Sequence, residues 1–304
     1  MHTILLAGGT GLIGQRLQML LTSQGHTVRI LSRRPKTAGQ YAWDPATGAL
    51  DESALDGVTA VINLAGAGIA DARWTPARKR ELIDSRVQSA RTLREAIARR
   101  TERPQVYVSA SAIGIYGDSG EAWQYENAAI EQGSNRPFMV DCCDQWEQAA
   151  DGMAALGVRT VKIRIGIVLD PHGGALAEMA RPLQFGLGGY FGNGQAWYSW
   201  IHRDDICRML LWAVETPAAT GVYNGVAPQP ERNVDFIKKT AKALQKTALF
   251  APAPALLMKL ALGEMSAVVL NSNRVNADKV QAAGFTFLYP GLAEALSDLY
   301  GSRT

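Results

Sequence analysis

The sequence predicts an α/β protein built on a doubly wound parallel sheet with a smaller C-terminal substrate lobe. In the first half of the 304-residue chain, short apolar runs alternate with longer amphipathic stretches, as in parallel strands joined by covering helices. A glycine-rich turn follows the first apolar run directly. After Leu169 the alternation gives way to a region rich in glycine and aromatic residues, which predicts the second lobe.

Five strands and three helices are predicted in the first half. The strands are Thr3–Ala7, Thr27–Leu31, Ala60–Leu64, Val106–Ser109 and Val158–Ile165. The helices are Leu12–Gln24, Pro76–Arg99 and Arg136–Leu156. Thr75 is the expected N-cap of the second helix, because Pro76 suits the first helical position.

The second half is predicted to contain further helices and one short extended run. The helices are Arg203–Glu215, Asn233–Leu244, Ala255–Leu262 and Asn276–Ala283, and the extended run is Gly221–Asn224. We expect residues 1–170 to form the nucleotide-binding domain, with 200–226 returning to it. Residues 171–199 and 227–304 are expected to form the smaller lobe, and the two are expected to share a cleft.

Composition excludes several classes of protein. A net charge of +3 without a long basic run argues against a nucleic-acid partner. No run of ~18 apolar residues is present, so we expect no membrane partner. Three cysteines without a CxxC pair or Cys/His cluster predict neither a disulfide framework nor a metal site. The start of the chain lacks a basic leader and cleavage site, so we expect a cytoplasmic protein.

The glycine-rich turn has the spacing Gly-x-x-Gly-x-x-Gly at Gly8, Gly11 and Gly14. Gly8 would make the tight turn, Gly11 would admit a pyrophosphate, and Gly14 would let helix and strand pack closely. The helix N-terminus would offer N–H groups to the phosphates. An ordinary strand-turn-helix with glycines at positive φ is the alternative. The context favours a Rossmann-type dinucleotide site.

The end of the second strand indicates which dinucleotide is bound. NAD binders place a carboxylate there for the ribose 2′-hydroxyl, whereas a nearby arginine accommodates a 2′-phosphate. Here the strand ends in Ser32, Arg33 and Arg34, with no carboxylate. The sequence therefore predicts NADP(H), although a solvated basic turn before Pro35 is the alternative.

A family resemblance covers nearly the whole chain. The motifs that carry it are Gly8 to Gly14, Asn63 to Gly66, Arg73-Trp74-Thr75, Ser109 to Gly117, Trp146-Glu147, Gly173 to Leu176, Gly186 to Gly189, Trp200 to Asp205, and Gly284 to Phe287. Together they resemble the extended short-chain dehydrogenase/reductases, and more closely the atypical, sugar-nucleotide epimerase-like branch called epimerase family proteins. The resemblance implies cofactor contacts at Thr10, Gly11, Leu12, Ile13, Ser32, Arg33, Leu64, Ala65, Glu81, Arg86 and Val168. For Glu81 and Arg86, a solvated helix pair is the alternative.

The resemblance also shows what is missing. Enzymes of this superfamily typically use a Tyr-x-x-x-Lys pair beside a Ser or Thr. Counting back from Glu147, the tyrosine position holds Met139 and the lysine position holds Cys143. Without a neighbouring His or Lys, Cys143 is expected to be a small buried residue and not a nucleophile.

Ser111 and Tyr116 remain as candidate catalytic residues. Ser111 stands in the place of the active-site hydroxyl, and Tyr116 follows five residues later. The alternative is a hydroxyl that caps a strand end and an aromatic wall. The aromatic segment from Phe185 to Trp200 would contact substrate or form a satellite core. His202 to Asp205 is expected to cap the following helix, since its spacing is not that of metal ligands.

The leading hypothesis is an NADP(H)-dependent oxidoreductase or epimerase-like enzyme acting on an unidentified small molecule, with a nucleotide sugar as one candidate and a homodimer as the candidate assembly. Ser111, with Tyr116 or water, would then handle protons. The rival is an NADP(H)-binding sensor or structural protein that has lost catalysis, which Met139 and Cys143 motivate. An NAD-dependent nucleotide-sugar epimerase is a third hypothesis, and it predicts tighter binding of NAD than of NADP.

Overall fold

A computed structural model describes residues 1–133 and 135–301 of the chain. The strands, in chain order, are β1 Thr3–Ala7, β2 Thr27–Ser32, β3 Gln40–Asp44, β4 Ala49–Leu50, β5 Ala60–Asn63, β6 Val106–Ala112, β7 Trp123–Gln124, β8 Arg159–Ile165, β9 Ile167–Leu169, β10 Leu187–Phe191, β11 Trp197–Tyr198, β12 Trp200–His202, β13 Gly221–Gly225, β14 Glu231–Arg232, β15 Leu249–Ala253 and β16 Arg274–Val275. The α-helices are α1 Leu12–Ser23, α2 Pro76–Ala98, α3 Phe138–Asp151, α4 Gly174–Leu183, α5 Arg203–Glu215, α6 Asn233–Ala243, α7 Ala255–Leu262, α8 Ala267–Leu270, α9 Asp278–Ala282 and α10 Leu292–Tyr300.

An eight-stranded, mostly parallel sheet forms the centre of the fold, in the order β13-β8-β6-β5-β1-β2-β3-β4. β1 pairs in parallel with both β2 and β5, so the strand order reverses beside the turn that follows β1. Ligands of doubly wound sheets bind at the carboxyl ends of the strands at such a switch point. The predicted α/β fold class is confirmed.

The predicted strands and helices of the first half are confirmed within about three residues, because their apolar patterns match what they bury, except that the third helix ends at Asp151 and not at Leu156. In β1, Ile4, Leu5, Leu6 and Ala7 are all fully buried. On α1 the buried residues are Gly14, Leu17 and Leu21, which share one helical face. Thr75 caps α2 as predicted, since its hydroxyl oxygen accepts a hydrogen bond from the Arg78 N–H at 3.2 Å.

Two strands of the main sheet were not predicted. β3 and β4 extend the sheet beyond β2, in a segment that follows Pro35 and Gly39 and has no long apolar run. β3 pairs in parallel with β2, and β4 pairs antiparallel with β3. β4 is the edge strand, and Trp43 on β3 is the buried residue of these two strands.

The chain divides into two compact units. Unit 1 contains residues 1–115, 136–164 and 207–223, and unit 2 contains 116–135, 165–206 and 224–304. The division differs from the predicted boundaries chiefly at 116–135, which were expected in the first domain. Contacts distant in sequence hold this segment in unit 2, since the Asp118 carboxylate accepts a hydrogen bond from the Ser272 N–H at 3.0 Å. The predicted lobe also includes residues 302–304, which lie outside the described residues.

No helix among residues 1–133 and 135–301 is both long and apolar enough to cross a membrane.

Candidate cofactor and catalytic sites

The turn after β1 is packed so closely that two of its glycines accept no side chain. Gly8 has φ of +79°, and a Cβ atom there would lie 2.6 Å from the Leu64 carbonyl carbon. A Cβ atom at Gly14 would lie 2.3 Å from the Gly8 carbonyl oxygen. Both obstacles are backbone atoms, which cannot move aside cheaply. Gly8 therefore brings the turn against the end of β5, and Gly14 brings α1 against the turn.

Gly11 differs from these two glycines. A Cβ atom there would lie 3.4 Å from the Gly8 carbonyl oxygen, an ordinary contact distance, and within 4 Å of no other described neighbour. Thr10, Gly11 and Leu12 are exposed and Ile13 is half-buried. No side chain caps α1 and no acidic residue lies in its first turn. The turn is therefore open on the side where the N-terminus of α1 can receive a phosphate.

The end of β2 is followed by positively charged side chains that are exposed to solvent. Arg33 and Arg34 are exposed, and neither guanidinium pairs with another side chain of the described residues. Ser32 is half-buried, and its hydroxyl oxygen accepts a hydrogen bond from the Arg34 N–H at 3.2 Å. Two planar guanidiniums therefore lie beside the strand that neighbours β1, where they can receive a phosphate monoester.

Asn63, at the end of β5, fixes the loop that faces Gly8. Its side-chain oxygen accepts a hydrogen bond from the Ala65 N–H at 3.0 Å. Its Nδ2 donates to Ser89 Oγ at 3.1 Å and to Tyr107 OH at 2.9 Å. Burial raises the pKa of Tyr107 to about 12, so this phenol stays protonated. The sequence predicted contacts at Leu64 and Ala65 but not their support by Asn63.

Arg86 and Glu81, both predicted cofactor contacts, have different surroundings. Arg86 is half-buried and donates to the carbonyls of Leu82 at 2.8 Å and Ala67 at 3.1 Å. Its guanidinium also lies over the Trp146 ring, 4.8 Å from the centroid. Glu81 is exposed and pairs with Arg78 at 2.7 Å. Arg86 thus supports the loop after β5, whereas Glu81 belongs to a surface ion pair.

Ser111 lies in a buried network of polar and charged side chains. Its hydroxyl donates to Glu147 Oε1 at 2.7 Å, and Ser111 is only 2% exposed. Arg164 binds both carboxylate oxygens of Glu147, at 2.7 and 3.0 Å. Lys162 Nζ lies 3.7 Å from Glu147 Oε2 and 2.7 Å from Asp151 Oδ1. Glu147, on α3, therefore accepts from Ser111 and balances two cations of β8.

The positions of the missing tyrosine and lysine both face the turn after β6. A Cβ atom at Gly114 would lie 2.5 Å from Met139 Cε and 3.7 Å from Cys143 Sγ. Cys143 is buried, and burial raises the pKa of its thiol. The thiol therefore stays protonated at neutral pH. Neither side chain can exchange protons with a substrate, in agreement with the interpretation of Cys143 as a small buried residue.

Tyr116 and Val168 belong to unit 2. The Tyr116 hydroxyl donates to Asn224 Oδ1 at 2.6 Å, and Asn224 is fully buried. The Asn224 N–H in turn donates to Glu126 Oε1 at 2.8 Å. Val168 is a half-buried residue of β9 and is the register partner of Ile201 on β12.

Comparison with known proteins agrees with this geometry. Residues 4–225 match the family model described as the NAD dependent epimerase/dehydratase family, and residues 253–299 match a domain of unknown function, DUF1731. The chain is 36% identical to epimerase family protein YfhF of Bacillus subtilis, over 99% of this chain and 98% of that protein.

The chain belongs to the NAD dependent epimerase/dehydratase family.

Two solved structures place this family member among epimerase-like folds. Human epimerase family protein SDR39U1, solved with NADPH, has a TM-score of 0.87 and 31% identity and covers 99% of both chains. A nucleoside-diphosphate sugar epimerase from Corynebacterium glutamicum has a TM-score of 0.80 and 28% identity, covering 98% of this chain and 58% of that one. The predicted resemblance to epimerase-like extended dehydrogenase/reductases is confirmed.

The aromatic segment of this epimerase-family chain divides between core and surface. Trp200 is fully buried and Tyr198 is 4% exposed, so both contribute to the core of unit 2. Trp197 donates its indole N–H to Glu121 at 2.9 Å and stacks against Arg232. Phe185, by contrast, is 79% exposed. The satellite-core alternative therefore describes Tyr198 and Trp200.

The His202 to Asp205 segment of the family member anchors the C-terminal part of the chain. α5 begins at Arg203, with Asp204 and Asp205 in its first turn, as predicted. The Asp205 carboxylate accepts hydrogen bonds from the N–H groups of Leu288 and Tyr289, at 2.8 and 2.9 Å. These residues therefore stabilise the fold of unit 2.

Proposed function

We propose that this protein binds NADP(H) in preference to NAD(H) through unit 1. The observation that carries the proposal is the end of β2, where Arg33 and Arg34 are exposed and pair with no side chain of residues 1–133 and 135–301, and where the sequence places no carboxylate for a ribose 2′-hydroxyl. The presence of NADPH in the human relative supports the same preference.

The turn after β1 fits the pyrophosphate of such a cofactor. Gly8 and Gly14 fold the turn tightly, while Gly11 leaves its outer side open. We propose that the backbone from Thr10 to Ile13 holds the phosphates and that Leu64 and Ala65, fixed by Asn63, contact the cofactor beside it. Ser32, Arg33 and Arg34 would hold the 2′-phosphate. Glu81, Arg86 and Val168 stay predicted contacts.

The cofactor preference can be tested by titrating the protein with NADPH and with NADH and following the nucleotide fluorescence. The wild-type protein should bind NADPH at least tenfold more tightly, and Arg33→Ala/Arg34→Ala should reduce its affinity to that for NADH, since each charged hydrogen bond contributes about 1.5–3 kcal/mol. Arg91→Ala, at an exposed position of α2, is the control and should change neither affinity. Tighter binding of NADH by the wild type would support the NAD-dependent epimerase instead.

We propose an oxidoreductase or epimerase-like reaction on a small molecule, with a nucleotide sugar as one candidate, as in the Corynebacterium glutamicum neighbour. When bound, the cofactor supplies a nicotinamide that accepts or donates hydride. Ser111 would hold a substrate hydroxyl. Its own hydrogen is donated to Glu147, so its oxygen is left to accept a hydrogen bond. Tyr116 donates its hydroxyl hydrogen to Asn224, so its oxygen would likewise accept a hydrogen bond from substrate.

The second candidate function is an NADP(H)-binding sensor or structural protein without turnover. Met139 and Cys143 favour it, because neither replaces the phenol and ammonium of the usual pair. NADPH absorbance during incubation with carbonyl compounds and nucleotide sugars distinguishes the two functions. Consumption that Ser111→Ala abolishes supports the enzyme, whereas tight binding without consumption supports the sensor. The homodimer and the cytoplasmic location stay predictions.

A further inference from the structure

Three large apolar side chains stand exposed at one end of the β10–β15 pair in unit 2. Phe185 is 79% exposed, Leu187 58% and Leu249 76%. Leu187 and Leu249 are register partners, and the Leu249 N–H donates to the Gly186 carbonyl at 2.9 Å, so the three residues are neighbours. We call Phe185, Leu187 and Leu249 the apolar tip. A contiguous exposed apolar group of this kind indicates an interaction surface.

A row of lysines borders the apolar tip. Lys238, Lys242 and Lys246 recur at every fourth position, and all three are exposed. None of them forms an ion pair with another described residue. α6, which carries the first two, packs on β10. A Cβ atom at Gly186 would lie 3.6 Å from the Thr247 carbonyl oxygen, so the segment that carries Lys246 lies against the segment that carries the apolar tip.

The charge of this region is unlike that of the rest of the chain. Residues 233–262 contain five lysines, one aspartate and no other charged residue, a net charge of +4, whereas the whole chain has a net charge of +3. The same stretch continues from β15 into α7, where Leu256, Leu257 and Leu260 are each more than half exposed. Positive charge and exposed apolar side chains therefore coincide in one segment.

We propose that the apolar tip and the lysine row form a peripheral binding site for an anionic lipid surface. Lysines draw a protein to negatively charged headgroups, and a few apolar side chains then enter the headgroup region. A two-fold contact between copies would bring two segments of +4 together, which opposes self-association through this face. The expectation of no membrane partner rested on the lack of a spanning run, and a peripheral site needs none. The proposal is independent of the proposed function.

Co-sedimentation of the full-length protein with vesicles tests the proposal. The protein should bind vesicles of phosphatidylcholine and phosphatidylglycerol in a 70:30 ratio, at least tenfold more tightly than vesicles of phosphatidylcholine alone. Lys238→Gln/Lys242→Gln/Lys246→Gln should weaken binding about 100-fold, as expected for three lysines at an anionic surface. Phe185→Ser/Leu187→Ser/Leu249→Ser should weaken it at least tenfold. Because all six residues are exposed, both variants should unfold at the wild-type temperature.

A matched variant distinguishes the effect of this site on vesicle binding from the effect of overall charge. Lys36→Gln/Arg80→Gln/Arg91→Gln removes the same charge at exposed positions of unit 1 and should weaken binding less than fivefold. An equal loss in this variant would overturn the proposal, as would equal binding to both kinds of vesicle. A dimer that the triple serine variant dissociates would assign the apolar tip to a self-interface and would also overturn it.

Discussion

Two regions of unit 1 differ in what they retain of a dinucleotide-dependent enzyme. In the turn from Gly8 to Gly14, the residue types that a pyrophosphate demands are present, and the backbone adopts the close packing they permit. Between β6 and α3, the acid–base positions hold Met139 and Cys143, and the remaining polar groups bond to one another. The proposed phosphate turn and the acid–base positions therefore involve different residues, and only the turn keeps the residue types that its proposed role requires.

The largest expected effect concerns the network between β6, α3 and β8. Glu147→Ala removes the buried carboxylate that binds Arg164 through both of its oxygens, so the free energy of unfolding should fall by about 3–5 kcal/mol, measured by urea denaturation. Gln148→Ala, at the exposed neighbouring position, is the control and should change it by less than about 0.5 kcal/mol. An unchanged unfolding midpoint in Glu147→Ala would mean that this network contributes little to the fold.

The phosphate turn gives the next largest effect and separates packing from binding. Gly14→Ala forces a Cβ atom against the Gly8 carbonyl oxygen and should lower the free energy of unfolding by about 3 kcal/mol. Gly11→Ala meets no such obstacle, but alanine is a poorer N-cap of α1, so the free energy of unfolding should fall by at most about 1 kcal/mol. The variant should nevertheless weaken NADPH binding at least tenfold. Full NADPH affinity in Gly11→Ala would show that the pyrophosphate lies elsewhere.

Asn63→Ala tests the loop that faces this turn. The variant removes the acceptor of the Ala65 N–H and a buried partner of Tyr107, so the free energy of unfolding should fall by about 2 kcal/mol. NADPH should also bind more weakly, because Leu64 and Ala65 lose their support. Ser89→Ala removes only one partner of Asn63 and should cost about 1 kcal/mol without changing NADPH affinity. Equal NADPH affinities in the wild type, Asn63→Ala and Ser89→Ala would show that this loop does not contribute to cofactor binding.

The smallest effect is the pH dependence that Cys143 introduces. Burial raises the pKa of this thiol in the folded protein, so the unfolded chain ionises first. Its contribution to stability is complete below the unfolded pKa of about 8.5 and falls above it by at most about 1.4 kcal/mol per pH unit. Unfolding of the wild type and Cys143→Ala between pH 7.5 and 10 should show a shallower decline in the variant. Parallel declines would contradict a buried, protonated Cys143.

Local sequence predicted the elements around the proposed cofactor site. The turn from Gly8 to Gly14 could be predicted because strand, turn and helix follow within a few residues, and each glycine has a distinct steric reason. Thr75 and Pro76 marked the start of α2 for the same reason. The substitutions Met139 and Cys143 were found by counting along a single helix from Glu147.

Other features depended on residues far apart in the sequence. β3 and β4 lack a long apolar run, and they join the sheet only because β3 pairs with β2 and β4 pairs with β3. Ser111 was predicted as a catalytic hydroxyl without its partner Glu147, 36 residues away. Residues 116–135 lie in unit 2 because they bond to Ser272, which no local pattern reveals.

By itself the sequence determined the α/β class, the dinucleotide turn, the basic end of β2 and the absence of the usual proton-transfer pair. Apolar periodicity, glycine sterics and side-chain charge act over a few residues, so these features can be found without coordinates. Tertiary structure alone decided that Ser111 donates to a carboxylate held by Arg164, and that Phe185, Leu187 and Leu249 stand exposed. Those facts depend on which distant segments pack together, because long-range packing sets both burial and hydrogen-bond partners.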